Sequence, residues 1–77
     1  METGGNIGGP LDILKLLINN SVTIELKDSS LITGCLKGFD EHLNLIMFKA
    51  RTSNEYSDIL FVRGDLVCLI REGIVSL

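Results

Sequence analysis

The sequence has little of the chemistry that metal centres and disulfide frameworks need. Its 77 residues include one histidine and two cysteines, Cys35 and Cys68, which lie far apart in the chain. A single histidine with scattered carboxylates has no metal-ligand spacing, and two distant cysteines make no disulfide framework. We therefore expect no metal, no cofactor and two reduced cysteines in the core.

Long apolar runs are also missing. The longest, residues 43–48, is interrupted by Asn44 and is far shorter than the roughly 18 residues of a membrane span. Residues 1–10 have neither the basic residue nor the apolar run of a secretory signal. The expectation is an intracellular chain with no membrane partner.

Basic residues are not in excess: ten acidic side chains outnumber seven basic ones, and the formal net charge is -3. Any contact with a nucleic acid therefore has to be local. No serine or cysteine is placed by the sequence to pair with His42 as a nucleophile, although a fold that brings Ser57 or Cys68 to it stays open. We expect no enzyme and no catalytic residue.

What is present is an apolar chain of the size of one domain, with 45% hydrophobic residues. Four glycines within residues 1–9 predict a flexible leader, because this composition loses much entropy on ordering and buries little. The folded domain is expected to span residues 10–72, and residues 73–77 to form a short tail.

Hydrophobic periodicity predicts one helix followed by five strands. Apolar residues recur at three- and four-residue spacing from Pro10 to Ile18, and from Ser21 onward the period changes to two. Strands are expected over about residues 22–27, 31–40, 43–51, 56–62 and 66–71. Gly34 and Gly38 in the long second strand predict a sharp bend or a close approach of backbones.

The order of these elements predicts the fold class. Tight polar connections without crossover helices make the sheet antiparallel. The expected fold is mainly β: a short N-terminal α-helix followed by a strongly bent five-stranded antiparallel sheet that forms a small open barrel.

The fourth and fifth strands carry more apolar residues than one barrel face uses. Ile59–Val62 and Leu66–Ile70 are apolar on both faces and lack the inward lysine or proline that protects an exposed edge. Pairing of the fourth strand of one subunit with the fifth strand of the next would be head-to-tail and would close a ring. The alternative, two interior strands of one packed barrel, stays open.

Two polar clusters interrupt the apolar strands at two different turns. They are Asp40-Glu41-His42-Leu43-Asn44 and Arg63-Gly64-Asp65. Asn44 has a donor and an acceptor that can read the edge of an unpaired base, and His42 and Arg63 can each stack on its face. Asp40 is placed to orient the asparagine amide, and Gly64 allows a close approach of the backbone. Ordinary turn residues are the alternative interpretation.

These segments resemble the two sequence motifs of the Sm and Like-Sm (LSm) family. The first motif is matched by Val22-Thr23-Ile24-Glu25-Leu26-Lys27-Asp28, Gly34-Cys35-Leu36-Lys37-Gly38-Phe39-Asp40 and His42-Leu43-Asn44-Leu45, and the second by Ile59-Leu60-Phe61-Val62-Arg63-Gly64-Asp65-x-Val67. The match covers residues 10–71. Within the family, the start of the helix and both turns resemble the third subunit of eukaryotic LSm rings.

The resemblance implies the Sm fold and a ring, usually heteroheptameric, in which other LSm subunits pair through the fourth and fifth strands. It implies recognition of uridine-rich single-stranded RNA 3′ ends in pre-mRNA splicing, on small nuclear RNA, or in mRNA decay, in the nucleus or the cytoplasm or both. A homo-oligomeric ring of the isolated chain stays open. The alternative is an architectural ring subunit, or a subunit of the Sm core, whose own base site is unused.

The resemblance also implies the roles of single residues. In similar proteins the residue matching Asn44 hydrogen-bonds a uracil, those matching His42 and Arg63 sandwich it, and the one matching Asp40 orients the asparagine. The candidate RNA-binding set is Asp40, His42, Asn44, Arg63, Gly64 and Asp65. The chain departs from the family pattern at Ser29 and Ser30, in its short connection 51–58, and at Asp65, where asparagine is frequent, so a contact of Asp65 with RNA stays open.

Overall fold

The computed structural model describes residues 10–74, and the expected leader at residues 1–9 and the end of the expected tail, residues 75–77, lie outside the described residues. The elements are α1 (Pro10–Leu17), β1 (Ser21–Leu26), β2 (Leu31–Phe39), β3 (Leu45–Arg51), β4 (Tyr56–Val62), a 3₁₀ turn (Gly64–Leu66) and β5 (Val67–Glu72). All six predicted elements are present. The largest differences from the predicted bounds are that β3 begins at Leu45 and that Leu66 belongs to the 3₁₀ turn and not to β5. Both turns have backbone hydrogen bonds of their own, from Leu43 to Asp40 and from Leu66 to Arg63.

Helix α1 closes one side of the barrel with its apolar face. Leu14 is buried, and Leu11, Leu17 and Ile18 pack against the core, as the helical spacing predicted. The helix stops one residue before the predicted Ile18, since Asn19 adopts a left-handed conformation with a φ of 69°. Asparagine tolerates this conformation better than other non-glycine residues, so the helix end is encoded locally.

The five strands form one antiparallel sheet in the order β4-β3-β2-β1-β5. Within the described residues, β4 and β5 do not pair with each other, so the bent sheet stays an open barrel. The predicted fold class is confirmed. The alternative in which both strands are interior is wrong, since each lies at an edge of the sheet.

The core lies inside the bend of the sheet. It is built from one face of each of the first four strands and from the helix, and its buried members are Leu14, Val22, Ile24, Ile32, Leu36, Leu45, Met47, Ala50 and Val62. Burial of such side chains contributes about 1.5 to 3 kcal/mol each. Two of its members, Leu45 and Val62, are the direct chain neighbours of the two polar turns.

The bend depends on a close approach between β2 and β3. A Cβ atom on Gly34 would lie 3.0 Å from both the Cα atom of Ala50 and the carbonyl oxygen of Phe48. Lys49 has a φ of 54°, and this left-handed residue shifts the alternation of β3, so that Ala50 rather than Lys49 faces the core. The close approach predicted from the glycine is confirmed at Gly34.

Gly38 has a different role from Gly34. The register of β2 on β3 shifts near both glycines, between Thr33 and Cys35 and between Leu36 and Gly38. A Cβ atom on Gly38 would meet only the side chain of Ile46, at an ordinary 3.5 Å. No close approach of backbones occurs there.

The two cysteines are free, but neither is a core residue. Cys35 is half-buried and Cys68 is exposed, so the expectation of two core cysteines is wrong. Cys68 lies on β5, an edge strand that pairs only with β1, and the core contacts of that strand come from Val67 and Ile70. The other side chains of this edge strand, including that of Cys68, are exposed to solvent.

Candidate functional site

The turn at residues 40–44 is organised by the carboxylate of Asp40. Its Oδ1 atom accepts hydrogen bonds from the backbone N–H groups of His42 at 2.9 Å and Asn44 at 3.0 Å. The backbone of Asp40 also donates to the carbonyl of Asn44 at 3.1 Å and accepts from Leu43 at 3.0 Å. An aspartate that caps the N–H groups of the following residues is a typical turn former. The turn is therefore held by its first residue.

Leu43 shows that this turn is constrained rather than relaxed. Its φ of 64° lies in the left-handed region, which costs a non-glycine residue about 1 to 2 kcal/mol. Its half-buried side chain packs against the core. The hydrogen bonds to Asp40 and the apolar contact together maintain a conformation that leucine rarely adopts.

The second turn lies directly against the first. A Cβ atom on Gly64 would overlap the carbonyl oxygen of His42 and would lie 2.8 Å from the carbonyl carbon of Leu43. Only glycine leaves room for this contact. The predicted close approach of the backbone at Gly64 is therefore present, and its partner is the turn at residues 40–44.

The amide of Asn44 connects the two turns. Its Nδ2 atom donates to Oδ2 of Asp40 at 3.0 Å, and its Oδ1 atom accepts from the backbone N–H of Gly64 at 2.7 Å. Rotation of the amide by 180° would set the NH₂ group against the N–H of Gly64 and the oxygen against the carboxylate. The direction of the amide is thus fixed, with one hydrogen and one lone pair left over.

These hydrogen bonds lower the pKa of Asp40. The largest cause of the lowered pKa is the hydrogen bond from the side chain of Asn44. Desolvation opposes it, and the hydrogen bonds from the backbone of Asn44 and His42 and the charge of His42 lower the pKa further. The ionised form is therefore the one that the folded turn prefers.

We expect the pKa of Asp40 to lie below its ordinary value of 3.8 and to rise toward that value in the Asn44→Ala variant. Because the folded-state pKa is depressed, the carboxylate stabilises the turn above pH 3.8, and this contribution is lost as the pH falls through the folded-state pKa. Carbon-detected NMR titration of the carboxyl groups measures both values.

Asp28 serves as the internal control for that titration. Its pKa is lowered mainly by the side chain of Ser30, in a turn that does not involve Asn44. The variant should leave the titration of Asp28 unchanged. Equal titration of Asp40 in the parent and the variant would show that the Asn44 amide does not hold the carboxylate.

Arg63 and Asp65 form an ion pair at the second turn. Nη2 of Arg63 donates to Oδ2 of Asp65 at 2.8 Å, and both side chains are exposed. An exposed pair contributes only about 0 to 1 kcal/mol to stability. The carboxylate offsets the positive charge of the guanidinium and engages one edge of the planar group, so the two flat faces stay available for stacking.

One cavity of about 660 Å³ brings the two turns together. It is lined by Phe39, Asp40, His42, Asn44, Leu45, Ile46, Phe61, Val62, Arg63 and Asp65. We call it the inter-turn cavity. Five of the six predicted site residues line it, and the sixth, Gly64, reaches it through its hydrogen bond to Asn44.

Sequence reasoning missed the apolar part of this cavity. Phe39 and Phe61 flank the polar clusters and line it, and Phe61 is 74% exposed. An aromatic residue within two positions of each polar cluster was the available signal, because flat apolar side chains accompany stacking sites. The cavity thus combines planar polar and aromatic groups.

The remaining chemistry of residues 10–74 is sparse. Within that range there is no group of three or more metal-ligating side chains, and no helix is long and apolar enough to cross a bilayer. Neither Ser57 nor Cys68 lines the cavity that holds His42. The described residues that line the cavity with His42 thus include no serine and no cysteine.

The fold is a short helix on an open, bent five-stranded barrel. Planar polar side chains from its two polar turns line one cavity. These features define a small barrel of the Sm type. The family model of the LSM domain matches residues 12–72. The chain therefore belongs to the LSM domain family.

Single relatives agree with this assignment. The LSM complex subunit lsm3 of Schizosaccharomyces pombe is 30% identical, over 91% of this chain and 95% of its own. A probable U6 snRNA-associated Sm-like protein of Encephalitozoon cuniculi is 31% identical, over 79% of this chain and 87% of its own. The similarity to the third LSm subunit is thus confirmed.

A solved structure has the same fold. The Sm protein of Pyrococcus abyssii, determined in complex with a uridine heptamer, superposes with a TM-score of 0.78. It is 28% identical in sequence, and the match covers 84% of this chain and 99% of that protein.

Proposed function

We propose that this chain is an RNA-binding subunit of an LSm ring that recognises uridine-rich single-stranded RNA at 3′ ends. One observation carries the proposal: the Asn44 amide is bound between Asp40 and the N–H of Gly64 in the inter-turn cavity. The Pyrococcus abyssii protein, whose fold is the same, was solved with a uridine heptamer, which supports oligouridine as the ligand.

The fixed amide suits the edge of a uracil. Uracil presents its N3–H donor between two carbonyl acceptors, so it can use both the free lone pair and the free hydrogen of Asn44. Cytosine and adenine present an acceptor at the ring nitrogen, where uracil has a donor. An amide that cannot rotate therefore favours uracil over these bases.

Stacking supplies the rest of the affinity in this proposal. His42 and Arg63 are exposed at the mouth of the cavity and both have flat faces. A base that stacks on such groups gains on the order of 1 to 3 kcal/mol. Asp65 acts on RNA through Arg63, because it holds the guanidinium by one edge and adds a negative charge that no phosphate would approach closely.

Assembly with other LSm subunits follows from the two free edges of the sheet. β4 exposes Ile59 and Phe61, and β5 exposes Leu69. In the proposed ring, β4 of one subunit pairs with β5 of the next through Ile59–Val62 and Leu66–Ile70. The relative in Schizosaccharomyces pombe is a subunit of an LSM complex, which supports this assembly.

The biological setting is a finer part of the proposal. The relative in Encephalitozoon cuniculi bears the description of a U6 snRNA-associated protein, which supports a role in pre-mRNA splicing in the nucleus. A role in mRNA decay in the cytoplasm rests on the family resemblance. The proposed action is binding, without catalysis.

A second candidate function is an architectural subunit whose own cavity stays empty while its neighbours hold the RNA. The ion pair between Arg63 and Asp65 favours it, because the guanidinium already has a carboxylate partner. Crosslinking of 4-thiouridine RNA to this chain in the assembled ring separates the two functions. Crosslinks at His42 or Arg63 support RNA binding, and their confinement to neighbours supports the architectural role.

We expect Asn44→Ala to weaken binding of heptauridine by about 5- to 150-fold. This range corresponds to the loss of one base contact, which contributes about 1 to 3 kcal/mol. Preference for uridine over cytidine should fall as well. Fluorescence anisotropy of the purified ring with labelled heptauridine and heptacytidine measures both effects.

Asn54→Ala is the matched control for this measurement. Asn54 is exposed in the turn between β3 and β4, at the other end of the strands from the inter-turn cavity. The control should bind both RNAs as the parent does. If Asn44→Ala also does, recognition of uracil does not take place in this cavity.

A further inference from the structure

A row of paired residues crosses the whole sheet at the end remote from the inter-turn cavity. Direct backbone partners in successive strands are Arg71 with Thr23, Thr23 with Thr33, Thr33 with Arg51, and Arg51 with Tyr56. Residues that face each other in an antiparallel pair project from the same face of the sheet. We call these five residues, with the neighbouring Lys49, the outer row.

The outer row is separate from the inter-turn cavity. Asn44 precedes the start of β3, and Arg51 is its last residue. A strand of this length spans roughly 20 Å. The two regions share no lining residue, so substitutions in one leave the residues of the other in place.

A second cavity, of about 460 Å³, lies over the part of the outer row formed by Thr33, Lys49, Arg51 and Tyr56. It is lined by Ser21, Thr33, Gly34, Cys35, Lys49, Arg51, Tyr56 and Ile74. None of these described residues is acidic, whereas the inter-turn cavity contains Asp40 and Asp65. In a chain with an excess of acidic residues, this is a local concentration of positive charge.

The two cations of this cavity have no carboxylate partner among residues 10–74. The guanidinium of Arg51 instead lies over the ring of Tyr56, 5.9 Å from its centroid. Lys49 is turned outward by its left-handed conformation, with a φ of 54°. Both charges are therefore available to an anion.

The hydroxyl of Thr33 is an independent sign of a ligand. Thr33 is only 5% exposed and lines this cavity, and its side chain has no hydrogen-bond partner among the described residues. An unpaired buried hydroxyl costs about 1 to 3 kcal/mol, and buried polar groups are nearly always satisfied. A partner that enters the cavity would satisfy it.

We propose that the outer row binds a backbone phosphate of single-stranded RNA, outside the inter-turn cavity. Lysine and arginine supply charge-assisted hydrogen bonds to phosphate oxygens, and the hydroxyl of Thr33 donates a further one. Tyr56 offers a ring beside them on which an adjacent base stacks. The inference rests on the proposed function and extends it to a second contact along the same strand.

The test compares short and long RNA on the assembled ring. The double variant Lys49→Gln/Arg51→Gln should bind heptauridine within twofold of the parent and a 20-residue oligouridine about tenfold more weakly. Loss of the contact with this one phosphate should also reduce the slope of log affinity against log salt by about 0.7 for the long RNA. Lys15→Gln/Lys27→Gln removes the same charge elsewhere and should change neither value.

A second variant keeps the test independent of charge and folding. Thr33→Val replaces the unpaired hydroxyl with a methyl group of similar size, so the thermal midpoint should be equal or higher, and binding of the long RNA should weaken about threefold. If Lys49→Gln/Arg51→Gln binds the long RNA as tightly as the parent does, the proposal is overturned. An effect limited to chemical shifts on addition of inorganic phosphate would overturn it too, since the site would then hold free phosphate and not RNA.

Failure of this inference is distinct from failure of the proposed function. Asn44→Ala should weaken heptauridine and the long RNA alike, whereas the outer-row variants should weaken only the long RNA. If Asn44→Ala changes neither RNA, the base site is wrong. If it weakens both and Lys49→Gln/Arg51→Gln weakens neither, only the outer row is wrong.

Discussion

Replacing Gly64 with alanine should weaken binding of heptauridine by about 100-fold, which corresponds to about 2.7 kcal/mol. The added methyl group would overlap the carbonyl of His42, so the two turns must separate. Separation breaks the hydrogen bond from Gly64 to Asn44 and releases the amide that we propose reads the base. It also moves Arg63 away from His42, so edge recognition and stacking are lost together.

The variant should also lose about 1 to 3 kcal/mol of stability, the usual cost of an overpacked site. Anisotropy with heptauridine and thermal unfolding followed by circular dichroism measure the two effects on the same samples. Binding equal to that of the parent would mean that contact between the turns is not needed for recognition.

Gly38→Ala is the matched control, because it adds the same methyl group to another glycine of the chain. There the new atom would meet only the flexible side chain of Ile46, at 3.5 Å. We expect a change in stability of no more than about 0.5 kcal/mol and unchanged affinity for RNA. The difference between the two variants isolates the effect of the turn contact.

Replacing Ile59 with lysine should convert the assembled ring to monomers. Ile59 is 53% exposed on β4, an edge of the sheet, and its burial against a neighbour would contribute about 1.5 to 3 kcal/mol per interface. Lysine removes this contribution and adds a charge that opposes strand pairing, the usual protection of an edge. Analytical ultracentrifugation measures the change in mass.

Leu16→Lys is the control for assembly, since Leu16 is 65% exposed but lies on helix α1. This variant should keep the mass of the parent. Circular dichroism on both variants separates dissociation from unfolding, and Leu69→Lys, on the opposite edge, should repeat the result of Ile59→Lys. Rings that persist in both edge variants would contradict pairing through β4 and β5.

Periodicity predicted the elements well because it reflects local constraints. The helical spacing of apolar residues after Pro10 and the alternation from Ser21 onward each depend on neighbouring residues. The predicted helix and all five predicted strands are present. The boundaries differed where a turn had its own hydrogen bonds, as at Asp40, or where a residue took a left-handed conformation, as Asn19 does. No pattern of hydrophobicity records those contacts.

The polar members of the site were also predictable from the sequence, and their partners only in part. Asp40 was expected to orient Asn44, four residues away, and the two do share a hydrogen bond. The bond from Gly64 to the same amide spans 20 residues, and no local signal indicated it. The prediction that Cys68 is buried was wrong for a related reason: strand order decides which faces are covered, and β5 lies at an edge of the sheet.

By itself the sequence determined the helix, the strands, the bend at Gly34 and the chemistry of the two turns, because each depends on the local preferences of neighbouring side chains. Only the tertiary structure decided that the turns meet, that β4 and β5 lie at the edges, and that Thr33, Lys49 and Arg51 share a cavity. These outcomes depend on strand order and register, which are set by packing of the core between residues far apart in the chain.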